Sequence, residues 1–289
     1  MANPSLLLGR VLGGRYHLTE LIGAGGMASV FRATVDGSPT PVAVKVLHPS
    51  LAADPSFVKR FRLEARTAAS VAHDNAVIVL DHGVDHGLPF MVMELLRGRD
   101  LASLIAAEGR LPPWRALDLT AQICDVLSLA HRLGILHRDL KPENVVILGS
   151  PPGEHVKVLD FGLANIYAPK PGAEVTAGIT RHGVALGTPA YMSPEQCGAE
   201  KLDQRSDVYA CGVLLFQMLT GRVPFEGRTE YETMVQHLTH PPPSLRELDA
   251  SIPEAVERAV LKALAKKPAQ RFQTARHFQE TLLRIAWEL

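Results

Sequence analysis

The chain has 289 residues, enough to bury a large core, and 46% of them are hydrophobic. Basic and acidic residues number 30 each, so no overall charge favours nucleic acid or an anionic membrane as a partner. No run approaches the roughly 18 apolar residues of a membrane-spanning helix, and we expect no membrane contact from this segment. Cys124, Cys197 and Cys211 lack CxxC spacing, which indicates reduced thiols and a cytoplasmic location.

A glycine-rich stretch comes first. Residues 21–30, LIGAGGMASV, place Gly23, Gly25 and Gly26 in an apolar strand pattern, ahead of a second strand at 31–35. Glycines let backbone N–H groups approach phosphates and permit a tight hairpin. A dinucleotide-binding fold would instead need a helix directly after the glycines. We therefore predict a hairpin that covers phosphates.

The next strand carries a lysine on an apolar face. Lys45 lies in PVAVKVL, on the same side as Ala43 and Leu47. An unpaired ammonium there would be costly, so we expect an anionic partner. Glu64 is the candidate, because it lies on the apolar stripe of a helix that we expect to begin with Asp54 as N-cap. The alternative is an exposed lysine and an unrelated glutamate.

Two histidines in DHGVDHG, His82 and His86, have a spacing that a metal site could use. The glycines and the flanking apolar runs favour a strand, a turn and a second strand instead.

A second hairpin is predicted from short apolar runs at 145–148 and 156–159, which flank a segment rich in turn formers. Asn144 enters the first strand and Asp160 leaves the second. In an antiparallel pair these positions lie about 5 Å apart. Their amide and carboxylate oxygens are ligands that Mg²⁺ prefers.

Asp139 lies in the octet HRDLKPEN at 137–144, and DFG follows at 160–162. Its carboxylate could accept a hydroxyl proton as that hydroxyl oxygen attacks phosphorus. HRD or DFG alone would be weak evidence, but the octet and DFG together predict phosphoryl transfer.

These motifs, in this order and spacing, resemble those of the protein kinase family, in particular the eukaryotic-like Ser/Thr kinases of bacteria. The resemblance runs from about Tyr16 to about Leu283, and it departs from the family pattern at Ala28, where a third glycine is usual. It implies an α+β, two-lobed fold with nucleotide between the lobes. The small strand-rich N-lobe would span about 16–94, with one main helix.

A larger, mainly helical C-lobe would span about 97–285, so that the kinase domain covers 16–285 and follows an N-terminal extension at 1–15. Periodic apolar segments predict its helices near 115–133, 207–219, 229–239, 253–266 and 274–286.

The resemblance also implies site residues. ATP and Mg²⁺ would be bound, with Mn²⁺ as an alternative metal. Catalytic roles fall on Asp139, Lys141, Lys45 and Glu64, and metal ligation on Asn144 and Asp160. Met93 would be the gatekeeper of the hinge, and the backbone of Glu94 and Leu96 would meet adenine. Nucleotide contacts are implied for Ile22, Gly23, Ala24, Gly25, Gly26, Met27, Ala28, Ser29, Val30, Ala43, Lys45, Met93, Glu94, Leu96, Val146 and Leu159.

Residues 163–186 show neither helical nor strand periodicity and contain Thr176 and Thr180. A stretch this long inside a compact domain is usually a functional loop. We predict that Thr180 is the main activating autophosphorylation site and Thr176 the second. A phosphate on either could pair with Arg138.

The motif GTPAYMSPE at 187–195 follows this loop. Thr188 and Lys141 resemble the residues that flank the acceptor hydroxyl in Ser/Thr kinases. Glu195 and Arg271 resemble the family's buried ion pair, and with Arg138 and Thr188 they would anchor the loop.

Ser206 and Asp207 precede an almost wholly apolar helical segment, and we predict that they cap it. Asp207 is also expected to accept hydrogen bonds from the backbone of the loop that carries Asp139.

Three functions remain open at this point. An active protein Ser/Thr kinase with a role in signal transduction, which also phosphorylates itself, uses all of the motifs. A small-molecule phosphotransferase would share the aspartates but would not need the threonine-bearing loop. A catalytically inactive scaffold would normally have lost one of five groups that are all present here: Lys45, Glu64, Asp139, Asn144 and Asp160. The resemblance further implies protein substrates, a homodimer through the N-lobes as an option, and a cytoplasmic kinase domain, either alone or within a longer membrane protein.

Overall fold

The computed structural model describes residues 4–161 and 188–289. The predicted loop with Thr176 and Thr180 lies outside the described residues. The chain forms two compact units, of which the first ends at Arg97 and the second begins at Gly98.

The first unit contains a six-stranded antiparallel sheet in the order β1-β2-β3-β4-β6-β5. Its strands are β1 (Val11–Leu12), β2 (Tyr16–Ala24), β3 (Ala28–Val35), β4 (Ser38–Leu47), β5 (Val79–Asp85) and β6 (Leu88–Glu94). Its helices are α1 (Pro49–Ala52) and α2 (Pro55–Ser70).

Strand β3 begins three residues earlier than the sequence predicted. Ala28 pairs with Leu47 and Val30 pairs with Lys45, so the ladder with β4 extends to the end of the glycine-rich turn. The second strand of the hairpin is therefore fixed along its whole length.

The alternation in β4 orients Lys45. Val42, Val44 and Val46 pack with Phe31 in a buried cluster on one face of the sheet. Lys45 is directed to the other face, because successive residues of a strand point to opposite sides.

Helix α2 begins where the sequence predicts. The Asp54 carboxylate accepts from the Ser56 N–H at 2.8 Å, and Pro55 occupies the first turn. Phe61, Glu64 and Ala68 are buried on one side of this helix.

The strand and turn pattern predicted around the two histidines is present. His86 and Gly87, with φ values of 44° and 82°, form the turn between β5 and β6. Within residues 4–161 and 188–289, no group of three or more acidic, His or Cys side chains could hold a metal ion.

The second unit is mainly helical. Its helices are α3 (Leu101–Glu108), α4 (Pro113–Arg132), α5 (Pro194–Cys197), α6 (Gln204–Thr220), α7 (Glu230–Thr239), α8 (Leu245–Leu248), α9 (Glu254–Ala263) and α10 (Ala275–Trp287). A small sheet joins β7 (Gly98–Asp100), β8 (Val145–Leu148) and β9 (His155–Val158). None of the helices that the structure describes is long and apolar enough to cross a bilayer.

The five predicted helices of this unit are present, but the prediction of the start of α6 is wrong. Its N-cap is Asp203, whose carboxylate accepts from the Arg205 N–H at 2.9 Å. Ser206 and Asp207 lie one turn further on, both buried, and their side chains bond to other segments.

Helix α6 passes very close to α9 at Gly212. A Cβ at this position would lie 2.8 Å from the Cβ of Ala263, closer than real carbon atoms approach. Glycine is therefore required by packing, even though alanine is the better helix former by about 1 kcal/mol.

We expect Gly212→Ala to lower the free energy of unfolding by about 1–3 kcal/mol, because overpacking outweighs the gain in helix propensity. Denaturant titration of the intact chain measures this change. In the double variant with Ala263→Gly, which removes the facing methyl group, part of the loss should be regained. Strictly additive losses in the two single variants and the double variant would contradict this packing argument.

Candidate active site

The glycine-rich hairpin leaves its backbone open at the turn. Gly23 pairs with Val30, and the Gly25 N–H donates to the Ala28 carbonyl at 2.9 Å. A Cβ at Gly26 would meet nothing within 4 Å. The turn can therefore receive a phosphate group against its backbone.

His48, which lies in none of the sequence motifs, stabilises this hairpin. The His48 N–H donates to the Met27 carbonyl at 2.9 Å, and its Nε2 lies 3.0 Å from the Ser29 hydroxyl oxygen. A single histidine after a strand belongs to no motif, so only the fold reveals this contact.

Lys45 and Glu64 form the ion pair that the sequence predicted. Lys45 Nζ donates to Glu64 Oε1 at 2.8 Å, and the two side chains are 11% and 3% exposed. A buried pair of this kind is held rigidly, since either charge would be costly to bury without its partner. The lysine is thereby positioned by α2.

The residues predicted to meet adenine in the first unit lie on neighbouring strands. Ala43 of β4 pairs with Met93 of β6, and both are buried. Glu94 ends β6, its N–H donates to the Ile78 carbonyl at 3.0 Å, and Leu96 follows two residues later. Ile22 is exposed on β2.

In the second unit, three predicted residues lie together on the loop before β8. Asn144 Nδ2 donates to the Asp139 carbonyl at 2.8 Å and is 3.4 Å from Asp139 Oδ2. Lys141 Nζ is 3.2 Å from the same carboxylate oxygen. The carboxylate of Asp139 therefore lies between an ammonium group and an amide.

The hairpin of β8 and β9 places Asn144 beside the chain that leads into DFG. Val145 pairs with Val158, and the Leu159 N–H donates to the Asn144 carbonyl at 2.8 Å. Asp160 follows directly, in the left-handed region with φ 57°. Aspartate adopts this conformation more readily than most residues, and such positions cluster at functional sites.

The chemistry of these two residues fits a hard cation. The amide nitrogen of Asn144 is committed to Asp139, so its oxygen is the atom left to ligate. The Asp160 carboxylate would supply the negative charge. Oxygen donors of these types suit Mg²⁺ better than zinc or copper.

The predicted backbone contacts of Asp207 are present. Its carboxylate accepts from the backbone N–H groups of His137 and Arg138, both at 2.9 Å, and lies 2.7 Å from His131 Nε2. Arg138 needs this support, because its φ of 66° is unfavourable for a side chain of that size.

Electrostatics favour the ionised form of Asp207. Burial alone would raise the pKa of this carboxyl. The hydrogen bond from His131, the electrostatic interactions with His131 and His137, and the backbone N–H groups outweigh burial, so the pKa lies below its usual range. Burial lowers the pKa of the Arg138 guanidinium, and Asp207 opposes that shift.

His137 connects this loop to DFG, a contact that no periodicity signalled. Its Nε2 lies 2.8 Å from the Leu159 carbonyl, and its ring meets Phe161 edge-on with centroids 5.0 Å apart. A carbonyl oxygen can only accept, so Nε2 carries the proton.

The predicted ion pair of Glu195 and Arg271 is present and is bidentate. Arg271 donates to the two carboxylate oxygens of Glu195 at 2.7 and 2.8 Å, and the side chains of Arg271 and Glu195 are 0% and 4% exposed. Burial would raise the pKa of Glu195, but the Arg271 and Ser206 contacts hold it below its usual range. The neighbouring Gln196 donates to the Arg138 carbonyl at 2.7 Å.

Thr188 is half-buried at the start of a short 3-10 turn, and its carbonyl accepts from the Tyr191 N–H at 3.0 Å. Val146 lies half-buried in β8, and Leu159 follows β9. Thr176 and Thr180 lie outside the described residues.

Residues 16–283 match the model of the protein kinase domain family. The chain is 41% identical over 280 residues to serine/threonine-protein kinase pkn3 of Myxococcus xanthus, covering 95% of this chain and 50% of that protein. It is 38% identical to serine/threonine-protein kinase PrkC of Bacillus subtilis, covering 93% of this chain and 40% of PrkC. The chain thus spans half or less of the length of these curated relatives.

Solved structures of the PknI kinase domain of Mycobacterium tuberculosis are also similar to this chain. One of them, of a double mutant, has a TM-score of 0.74 and 27% identity, covering 99% of this chain and 100% of that one. A second, of a single mutant, has a TM-score of 0.73 and 26% identity, covering 98% and 99% of the two chains.

We expect Asp207→Asn to lower the free energy of unfolding by about 3 kcal/mol near neutral pH, since the amide cannot accept from both N–H groups and from His131. The pKa of Asp207 is lower in the folded than in the unfolded chain. Its stabilisation is therefore present above the unfolded pKa, about 4, and is lost as the pH falls through the folded pKa.

Denaturant titrations of wild type and variant at several pH values test this expectation. The difference between them should shrink in acid. A difference that stays constant to the lowest pH at which both remain folded would show that the carboxylate charge is not the stabilising feature.

Proposed function

The chain belongs to the protein kinase domain family, among the eukaryotic-like serine/threonine kinases of bacteria, and from that premise we propose that it transfers the terminal phosphoryl group of ATP to serine and threonine hydroxyls of proteins, itself included. The family and the two-lobed α+β fold predicted from the sequence are confirmed. The observation that carries the proposed activity is the Asp139 carboxylate, held between Lys141 and Asn144 on a loop that Asp207 fixes.

Asp139 would act as the base. Its carboxylate accepts the proton of the acceptor hydroxyl while that oxygen forms a bond to the terminal phosphorus and the bond to ADP breaks. Lys141, 3.2 Å from the carboxylate, would face the charge that spreads over the transferred oxygens.

Lys45 would bind the α and β phosphates, held in place by Glu64. The divalent cation, Mg²⁺ or in its place Mn²⁺, would be held by Asn144 and Asp160 and would neutralise phosphate charge. The nucleotide would further contact Ile22, Gly23, Ala24, Gly25, Gly26, Met27, Ala28, Ser29, Val30, Ala43, Met93, Glu94, Leu96, Val146 and Leu159.

The acceptor would bind to residues 188–195, which we call the acceptor segment. Lys141 and Thr188 resemble the residues that flank the acceptor hydroxyl in the family's Ser/Thr kinases, which favours serine or threonine over tyrosine as the acceptor residue. We propose Thr180 as the main autophosphorylation site and Thr176 as the second. Phosphate on either threonine would be a partner for the guanidinium of Arg138.

Further partners and the compartment are proposals of the same kind. Because the chain spans half or less of its relatives, the substrates of the whole protein are proposed only as proteins with serine or threonine acceptors. A homodimer through the first unit is proposed from the family resemblance. The three cysteines are free and buried, which supports a reducing compartment such as the cytoplasm.

Incubation with Mg²⁺ and ATP, followed by mass spectrometric mapping of phosphosites, tests the proposed activity. We expect incorporation at Thr180, with less at Thr176. Asp139→Asn should reduce the rate by a factor of about 10²–10⁴, because it removes the base while keeping the shape of the side chain. Asp118→Asn, an exposed change on α4, is the matched control and should keep full activity.

Nucleotide binding without any transfer in the wild-type chain would identify a scaffold and contradict the proposal. Transfer to small molecules alone, with no phosphate on protein, would identify the other alternative. Full activity of Asp139→Asn would refute the role of that carboxylate.

A further inference from the structure

The last turn of α7 lies against the acceptor segment. His237 is fully buried on this turn. Its Nε2 lies 3.1 Å from the Ala190 carbonyl oxygen, and its Nδ1 lies 2.8 Å from the Tyr209 hydroxyl oxygen. Neither ring belongs to one of the sequence motifs described above.

These two contacts fix where the protons lie. The Ala190 carbonyl can only accept, so Nε2 of His237 carries the ring proton. Nδ1 is then the acceptor, and the Tyr209 hydroxyl donates to it. Burial and the charge of Lys266 lower the pKa of His237 to about 4, which keeps the ring neutral near pH 7. The result is a directional chain of hydrogen bonds from Tyr209 through His237 to Ala190.

The ring of His237 is held from several sides. Phe225 packs edge-on against it, with centroids 4.9 Å apart. Lys266 Nζ donates to the carbonyl of His237 at 2.7 Å and to that of Gln236 at 3.2 Å, and it lies 3.9 Å from the centre of the Phe225 ring. A cation at the C-terminal end of a helix stabilises its last turn. The imidazole is therefore preorganised.

Tyr209 also contacts Arg271, which binds the acceptor segment at Glu195. Its ring lies 4.8 Å from the guanidinium carbon of Arg271, which binds Glu195. The segment is thus fixed at Ala190 by His237 and at Glu195 by Arg271, and Tyr209 contacts both of these side chains.

We propose that His237 is a positioning residue for the acceptor protein: by holding the Ala190 carbonyl it sets the backbone on both sides, at Thr188 and Tyr191, where the acceptor chain binds. The inference rests on the proposed function, because it assigns His237 to binding of the acceptor. It assigns no contact with nucleotide to His237.

Kinetics on intact variants test the proposal, with myelin basic protein as the acceptor. His237→Phe keeps the ring shape but removes the donor, and we expect it to raise the KM for acceptor about tenfold, as for the loss of one buried hydrogen bond, with the KM for ATP unchanged. His237→Gln keeps an N–H donor and should recover part of the effect. Tyr209→Phe should raise the same KM by a smaller factor.

Thr233→Val is the matched control. Thr233 is buried on α7 one turn before His237; its hydroxyl accepts from the Gly227 N–H at 2.9 Å and donates to the Thr229 carbonyl at 3.2 Å, both outside the acceptor segment. We expect this variant to melt at a lower temperature with an unchanged KM for acceptor. If His237→Phe leaves that KM unchanged, or if Thr233→Val raises it equally, the proposal is overturned.

Hydrogen exchange of the backbone amides at 191 and 192 separates this proposal from the proposed function, since it needs neither nucleotide nor acceptor. Both amides donate within the turn that contains Ala190. We expect faster exchange in His237→Phe than in wild type or Thr233→Val. Unchanged exchange would overturn the role of His237, whereas an inactive wild-type chain with faster exchange in the variant would refute the kinase activity, and acceptor binding with it, while His237 would still be shown to hold the turn at Ala190.

Discussion

The buried carboxylate of Asp207 is the constraint on which the candidate active site depends. It accepts from two consecutive backbone N–H groups, those of His137 and Arg138, and pairs with His131. Asp139 is the next residue, so these hydrogen bonds fix the backbone from which its carboxylate projects. A carboxylate out of contact with water is stable only when its oxygens are satisfied. Here the oxygens are satisfied by backbone N–H groups of the loop that carries Asp139, so the same hydrogen bonds hold that loop in place.

Other segments converge on the same loop. His137 Nε2 donates to the carbonyl of Leu159, the residue before Asp160. Gln196, the residue after Glu195, donates to the Arg138 carbonyl. The loop is thereby linked on one side to the proposed metal ligands and on the other to the acceptor segment. Small displacements of such groups are expensive for catalysis, since even about 1 Å of misplacement can cost roughly 10²-fold in rate.

The sequence was most informative where a charge had to be buried. The pairs of Lys45 with Glu64 and of Arg271 with Glu195 are present, because each charge lies on an apolar face or in a recognised motif and needs a partner. Contacts made by lone histidines could not be foreseen, since their partners are brought by packing from distant parts of the chain. The start of α6 was misplaced, because DQRSD offers several residues that can cap a helix. Helix α3, eight residues long, is too short for periodicity to reveal.

The dependence of catalysis on Asp207 is tested by the kcat of Asp207→Asn, measured near neutral pH at saturating Mg²⁺, ATP and acceptor, on protein shown to be folded. We expect a fall in kcat on the order of 100-fold with little change in the KM for ATP, because Asp139 is no longer held in place while the residues proposed to bind nucleotide are unaltered. A folded variant with the kcat of the wild-type chain would contradict this expectation.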